Sequence, residues 1–217
     1  MKLYIAKATC SLAVQIVLNE LGIHQDAELI HYDVFGKSTS NGDDFAEINP
    51  MGYVPVLRID NGDQDLLAET IVIASYLADQ HPESGLVPAR GTLDRVKMDA
   101  LLNFTATEIA QKHIPLMRKL LTEEGTAWTR NKLVVAYTRL DRMLADGRSW
   151  LTGEQFSVLD AYVWATFWHE RSGADISHLK HLMAYKSRIE ARPSVVKALE
   201  DEAALVERHE TRLAASR

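Results

Sequence analysis

One residue of the 217 carries a thiol, Cys10, and a hydroxyl follows it at Ser11. The pair falls between a strand-like run, Leu3-Tyr4-Ile5, and a helical run to Leu21 in which Ala13, Val14, Val17, Leu18 and Leu21 share one side. A thiol at a helix N-terminus meets unpaired backbone N–H groups and the positive end of the helix dipole, and both favour a thiolate. A lone cysteine also packs as an inert small hydrophobe, so position alone leaves both readings open. A second helix entry, Glu69-Thr70, puts an acid and a hydroxyl before the apolar positions Ile71, Ile73, Ala74 and Leu77. That pair suits ligand binding at a helix end or plain capping. Pro55 enters a strand-like run, where a proline cannot donate to a ladder and marks an edge, a bulge or a cis turn. His178 and His181 have the i, i+3 spacing of a metal pair, but with no third ligand they read as surface histidines.

These groups need elements to hold them. A strand at 2–6, a helix at 10–22 stopped by Gly22 and a strand at 28–34 make a βαβ unit with an expected right-handed crossover. Residues 35–44 read as a surface loop with one basic residue, Lys37, and Asp43–Ile48 as a helical turn ended by Asn49-Pro50. The strand 53–59, the turn Asp60-Asn61-Gly62-Asp63 and the run Leu66-Leu67-Ala68 predict an antiparallel hairpin. Residues 81–91, rich in Pro and Gly, read as a linker, after which strand signals vanish.

A long helical pattern follows at 92–122, with a kink expected at Pro115. The next helix carries Leu133, Tyr137, Leu140 and Leu144 on one side. Ser157-Val158-Leu159-Asp160 reads as a capping box before an apolar core helix at 161–168. Weaker helices are expected at 177–190 and 194–207, with a frayed tail after Glu207. The fold class is therefore α/β plus all-α: a thioredoxin-like N-terminal domain at 1–80, a linker at 81–91 and a helical bundle at 92–217.

Composition narrows the function. A net charge of −6 and the absence of Lys/Arg runs argue against a nucleic-acid surface. A single cysteine rules out an internal disulfide framework and a CxxC pair. No stretch approaches the ~18 apolar residues of a membrane span. The start MKLYIAKATC lacks a signal-peptide apolar region, so the expected location is the cytoplasm.

The segments MKLY…ATCSLA, NGDDFAEINPMGYVPVL, Ala68-Glu69-Thr70, LNFTATEI and GEQFSVLDAY, in this order, resemble the glutathione S-transferase family, and most closely its bacterial beta class. The resemblance spans roughly residues 1–205. It implies a cytoplasmic homodimer that uses glutathione as co-substrate, needs no metal and detoxifies small hydrophobic electrophiles held by the helical domain. It also implies site residues. Cys10 matches the beta-class cysteine, whose sulfur can lie beside that of glutathione and form a mixed disulfide with it. Ser11 matches the place of a hydroxyl donor to the glutathione thiolate in related classes. Glu69 and Thr70 match the γ-glutamyl site, and Val54, before a cis Pro55, offers its backbone to the cysteinyl part. Lys37 is a candidate for the glycyl carboxylate, and Asn103 matches a position that reaches toward glutathione.

Two positions depart from the beta-class pattern. Ile5 stands where a tyrosine is usual, and its neighbour Tyr4 faces the other side of the strand. Ala110 stands where a histidine is usual, with His113 nearly one helical turn further on. Tyr4, His113, Met117 and Leu120 are candidates to line the electrophile pocket, while Trp164, Phe167, Trp168 and His169 read as core. The leading reading is a transferase that attacks electrophiles with glutathione thiolate. The alternatives are glutathione-dependent thiol–disulfide exchange through Cys10, and a non-enzymatic ligand-binding or regulatory protein on the same fold.

Overall fold

In the computed structural model, strand β1 (Lys2–Ile5) sends Tyr4 to one face of a sheet and Leu3 and Ile5 to the other, and all three are fully buried. Residues 1–62 and 65–215 are described. Helix α1 (Ser11–Glu20) connects β1 to the parallel strand β2 (Glu28–Asp33), the expected βαβ unit. On its other edge β1 pairs antiparallel with β4 (Val56–Arg58), and β4 pairs with β5 (Leu66–Ala68). A two-residue strand β3 (Ser38–Thr39), inside the stretch read from sequence as loop, completes the order β3-β2-β1-β4-β5. Asp63, part of the expected hairpin turn, lies outside the described residues, as do Gln64, Ser216 and Arg217.

Register sets the core of this unit. Tyr4 stands opposite Ile30 on one side and Val56 on the other, so the three form a row across the sheet. Phe45 covers that row from α2 (Phe45–Ile48), whose first turn is capped by Asp44 accepting from Ala46 N. Tyr32 stacks on Phe45 with ring centroids 4.2 Å apart, and Ile48 and Val54 pack against the cluster. The Tyr4 hydroxyl donates to Asp43 at 2.5 Å, and burial together with that carboxylate pushes its pKa up to about 12. Helix α3 (Thr70–Asp79) packs against α1.

The helix α10 (Pro193–Ala215) also packs on α1 and on β2, and by contacts residues 192–217 group with 1–84 rather than with 85–191. Its start is pinned to the end of α1. Arg192 donates to both carboxylate oxygens of Glu20 at 2.9 and 2.8 Å, Ser194 donates to the same carboxylate, and Asn19 donates to the Ser194 carbonyl. The tail expected to fray after Glu207 is helical to Ala215, and His209 is buried within it.

The second unit, Gly85–Ala191, is helical. Leu86 and Val87, in the stretch read as linker, are buried, and the Leu86 carbonyl accepts from Val158 N. Thr92 caps α4 (Leu93–Phe104) and Thr122 caps α6 (Glu123–Leu144). Between α4 and α5 (Gln111–Met117) the helix widens into a π-helical segment, Thr105–Ala110. The irregularity thus falls before Pro115, which lies within α5, and not at the proline as expected. The Thr105 and Thr107 hydroxyls donate back to the Leu101 and Asn103 carbonyls at its start. Leu133, Tyr137, Leu140 and Leu144 form the buried side of α6, as their spacing predicts.

Helices α7 (Val158–Ala165), α8 (His169–Ser172) and α9 (Lys180–Glu190) complete this unit. The expected capping box opens α7, and its acid does more than cap. The buried Asp160 carboxylate accepts from Leu151 N, Ser157 N, the Ser157 hydroxyl and the Tyr185 hydroxyl at 3.0, 2.9, 2.6 and 2.8 Å. Removing it strands several buried donors at once. Asp160→Ala is expected to destabilise the protein by about 4 kcal/mol, read as a lowered urea midpoint of the far-UV signal.

Candidate active site

Between β1 and α1 the backbone has neither ladder nor helix to satisfy it, and side chains take over. Ser11 is fully buried; its hydroxyl lies 2.8 Å from that of Thr9, 3.3 Å from the Ala6 carbonyl and 3.4 Å from Ala6 N. The Thr9 hydroxyl donates to the same Ala6 carbonyl at 2.8 Å. Ala8 takes a left-handed conformation, φ 54°, which turns its N–H to the Glu202 carboxylate of α10 at 2.9 Å. Ser11 is therefore a bracket inside the turn, and it does not face outward as a hydroxyl donor to a thiolate would.

Cys10 is left as the half-buried cap residue of α1. Its thiol points to the Val54 carbonyl, with Sγ 3.7 Å from the oxygen. The helix end visible in sequence favours a thiolate; the structure opposes that. Burial pushes the thiol pKa up, and the Glu69 carboxylate adds to the rise, while a hydrogen bond from Thr70 and the helix-end backbone pull the other way. Desolvation wins, so Cys10 is a protonated thiol with an S–H to offer.

Val54 and Glu69-Thr70 reach this thiol through the sheet. Val56 pairs with Ala68, so the entry to β4 and the exit from β5 lie side by side. The Val54–Pro55 bond is cis. The Val54 side chain packs on the aromatic cluster, and its peptide groups precede the β4 ladder, which begins at Val56. Asn49 braces the approach by donating to the Tyr53 carbonyl at 2.8 Å. Glu69 is exposed and holds a left-handed backbone, φ 69°, strained for a residue with a β-carbon, while Thr70 is buried at the first turn of α3. Cys10, Val54 and Thr70 thus meet within one unit, with the N-terminus of α3 and the Glu69 carboxylate at its edge.

The other candidates sit elsewhere. Lys37 is exposed, with φ 53°, on the loop before β3. Tyr4 does not line a pocket: it belongs to the sheet core, because strand alternation turns it toward Phe45. His113 is fully buried as well. Its Nδ1 meets the Ser172 hydroxyl and its Nε2 the Tyr137 hydroxyl, both at 2.8 Å, and burial with His169 and Arg171 nearby lowers its pKa to about 4. It is a neutral core histidine, unsuited to substrate contact. In the second unit Asn103 is exposed on α4, Met117 is half-buried on α5 and Leu120 is exposed. Phe167 and His169 are buried and Trp164 and Trp168 half-buried, in keeping with packing. His178 is exposed and His181 meets Asp141 at 3.3 Å.

Sequence reasoning missed Glu202. The signal was present: Val195, Ala198, Glu202, Val206 and His209 are the buried stripe of α10, so a carboxylate interrupts a helical apolar face. Burial raises its pKa, opposed by Ala8 N–H, Lys7 and Gln15.

Comparison with known proteins also divides the chain in two. Residues 9–80 match the model of the glutathione S-transferase N-terminal domain, and residues 105–202 that of the glutathione S-transferase C-terminal domain. The chain is 34% identical over 203 residues to glutathione S-transferase GstA of Escherichia coli O157:H7, covering 93% of this chain and 98% of that protein. Among solved structures, a sphingomonad glutathione S-transferase complexed with glutathione superposes with a TM-score of 0.85 at 37% identity, over 94% of this chain and 99% of the other. A bacterial beta class glutathione S-transferase of Sphingomonas chungbukensis gives 0.84 at 34% identity, over 93% and 98%.

The balance at Cys10 is open to titration, since no other thiol interferes. The alkylation rate with iodoacetamide should keep rising above pH ~8.5, the ordinary thiol range. Thr70→Val removes a group that favours the thiolate and should move the midpoint higher. Glu69→Gln removes one that opposes it and should move the midpoint lower.

Proposed function

The chain belongs to the glutathione S-transferase family and is a glutathione transferase; we propose that it binds glutathione along Val54, Glu69 and Thr70 and activates the bound thiol with the S–H of Cys10. The observation that carries this reading is the Cys10 thiol held 3.7 Å from the Val54 carbonyl at the N-terminal end of α1, where burial pushes its pKa up. Glutathione supplies the nucleophilic sulfur. The backbone N–H and C=O of Val54 suit pairing with its cysteinyl part. The N-terminus of α3 and the Thr70 hydroxyl suit the γ-glutamyl carboxylate, and the Glu69 carboxylate suits its ammonium. Lys37 is the cation proposed for the glycyl carboxylate.

Cys10 then exchanges its hydrogen bond to Val54 for one to the glutathione sulfur. A thiol that stays protonated can donate; a thiolate there would repel a second one. With Ser11 turned into the turn and Tyr4 in the core, Cys10 is the donor that the geometry favours. The thiolate so stabilised attacks a hydrophobic electrophile. Family membership adds to this reading a cytoplasmic, homodimeric, detoxifying enzyme. No helix among the described residues is long and apolar enough to cross a membrane, and no three of their His, Cys, Asp or Glu are arranged to hold a metal. The raised thiol pKa weighs against Cys10 as the nucleophile of a thiol–disulfide exchange, which needs thiolate.

Pure protein should conjugate glutathione to a chloronitrobenzene-type electrophile; glutathione binding with no conjugation across a broad electrophile panel would overturn the reading. Thr70→Val should weaken glutathione binding about tenfold in calorimetry, equivalent to about 1.4 kcal/mol. Cys10→Ala should raise the pKa seen in the pH profile of kcat/KM by about one unit, and Cys10→Ser, which keeps a donor, should restore most of it. A glutathione adduct found by mass spectrometry under oxidised glutathione, and lost in Cys10→Ala, would favour the exchange chemistry instead.

A further inference from the structure

The last turns of α10 are held by one buried side chain. Of residues 207–215, His209 alone is buried, and Leu213 is half-buried. An apolar stripe secures the helix as far as Val206; beyond it, docking rests on polar contacts with the sheet edge. His209 Nδ1 faces His31 Nδ1 of β2 at 2.9 Å, with the rings edge to face and their centroids 5.1 Å apart. His209 Nε2 lies 3.5 Å from the Ser38 hydroxyl, and Arg212 donates to the Thr39 carbonyl at 3.2 Å. His31 itself is fixed, since its backbone N–H donates to the Ser40 hydroxyl at 3.0 Å and its carbonyl accepts from Ser40 N at 2.8 Å. His209 is the partner free to leave.

Two Nδ1 atoms at 2.9 Å require one ring to donate and the other to accept. One extra proton is tolerated, because it can sit on the outer nitrogen of the donating ring. A second proton removes the accepting lone pair and sets two N–H groups, each on a cation, against each other. We propose that the His31–His209 contact is a proton-operated latch: the last turns of α10 stay docked on β2 and β3 until both imidazoles are protonated, and then release.

The surrounding charges are mixed. Asp33 and Glu210 face both rings and favour the charged forms, whereas Lys7 beside His31 and Arg212 beside His209 oppose them. Burial outweighs the acids and holds both pKa values below the ordinary imidazole value. Groups held neutral when docked make docking fully favourable above the free imidazole pKa of ~6.5; it weakens as pH falls below that value, because the released form takes up the protons.

The test is amide hydrogen exchange of the intact protein, read by mass spectrometry on a peptide spanning 207–215 and corrected for the intrinsic rate. Between about pH 7.5 and about pH 5, across the imidazole range, protection of this peptide should fall at least tenfold while peptides of α6 keep theirs. In His209→Gln, whose amide can meet His31 but takes no proton, protection should vary less than threefold over the same range. Should that variant fail to dock at any pH, the imidazole Cε1–H resonances of the wild-type protein decide. Loss of protection tracking the second of the two histidine titrations supports the latch, and loss tracking neither overturns it. Unchanged protection in the wild-type protein, or an equal fall in wild type and a docked His209→Gln, also overturns it.

Discussion

A turn that lies outside regular structure and is packed against it must still satisfy its backbone, and the candidate site depends on how residues 6–11 do so. The Ser11 and Thr9 hydroxyls serve Ala6, and Glu202 serves Ala8. Once these side chains face inward, Cys10 is the reactive group left to look out, toward Val54. The site is in this sense a remainder: it is what the turn does not need for its own stability. The aromatic cluster under the sheet does the same for Val54, covering part of its side chain while leaving its peptide groups ahead of the ladder.

At Cys10 two electrostatic effects compete, and their magnitudes decide the chemistry. A helix N-terminus contributes a few tenths of a kcal/mol to about one at an exposed position. Taking a charge out of water can move a pKa by several units. With Glu69 also near, the helix end cannot hold the sulfur as an anion. It can still assist an anion brought in by a ligand whose own charged groups are compensated. The same opposition between burial and partners governs Glu202, raised by burial but served by Ala8, whereas at His113 burial and the nearby His169 and Arg171 act together to keep the ring neutral between two hydroxyls.

Much of this was legible in the residues. Alternation in Leu3-Tyr4-Ile5, the stop at Gly22, the proline before Val56 and the Ser157–Asp160 box predicted elements that are present within a few residues of their expected bounds. The same alternation placed Tyr4 opposite Ile5, although what Tyr4 meets, Phe45 and Asp43, depends on a packing no local pattern reveals. At Cys10 the helix end that favours a thiolate is visible in sequence, and the desolvation that outweighs it is not. Ser11 was ranked for its hydroxyl alone, while its inward orientation follows from the needs of Ala6. The end of α10 looked frayed because its exposed residues are polar; the buried His209 that holds it finds its partner 178 residues away in sequence.

The Ala8–Glu202 bond joins residues 194 positions apart, and the unit that carries the site is discontinuous, 1–84 with 192–217. A ribosome delivers the sheet well before α10. The Cys10 turn therefore cannot reach its finished form before α10 is made, however early β1 and α1 associate. A chain that still lacks α10 carries the thiol without the carboxylate that braces its turn.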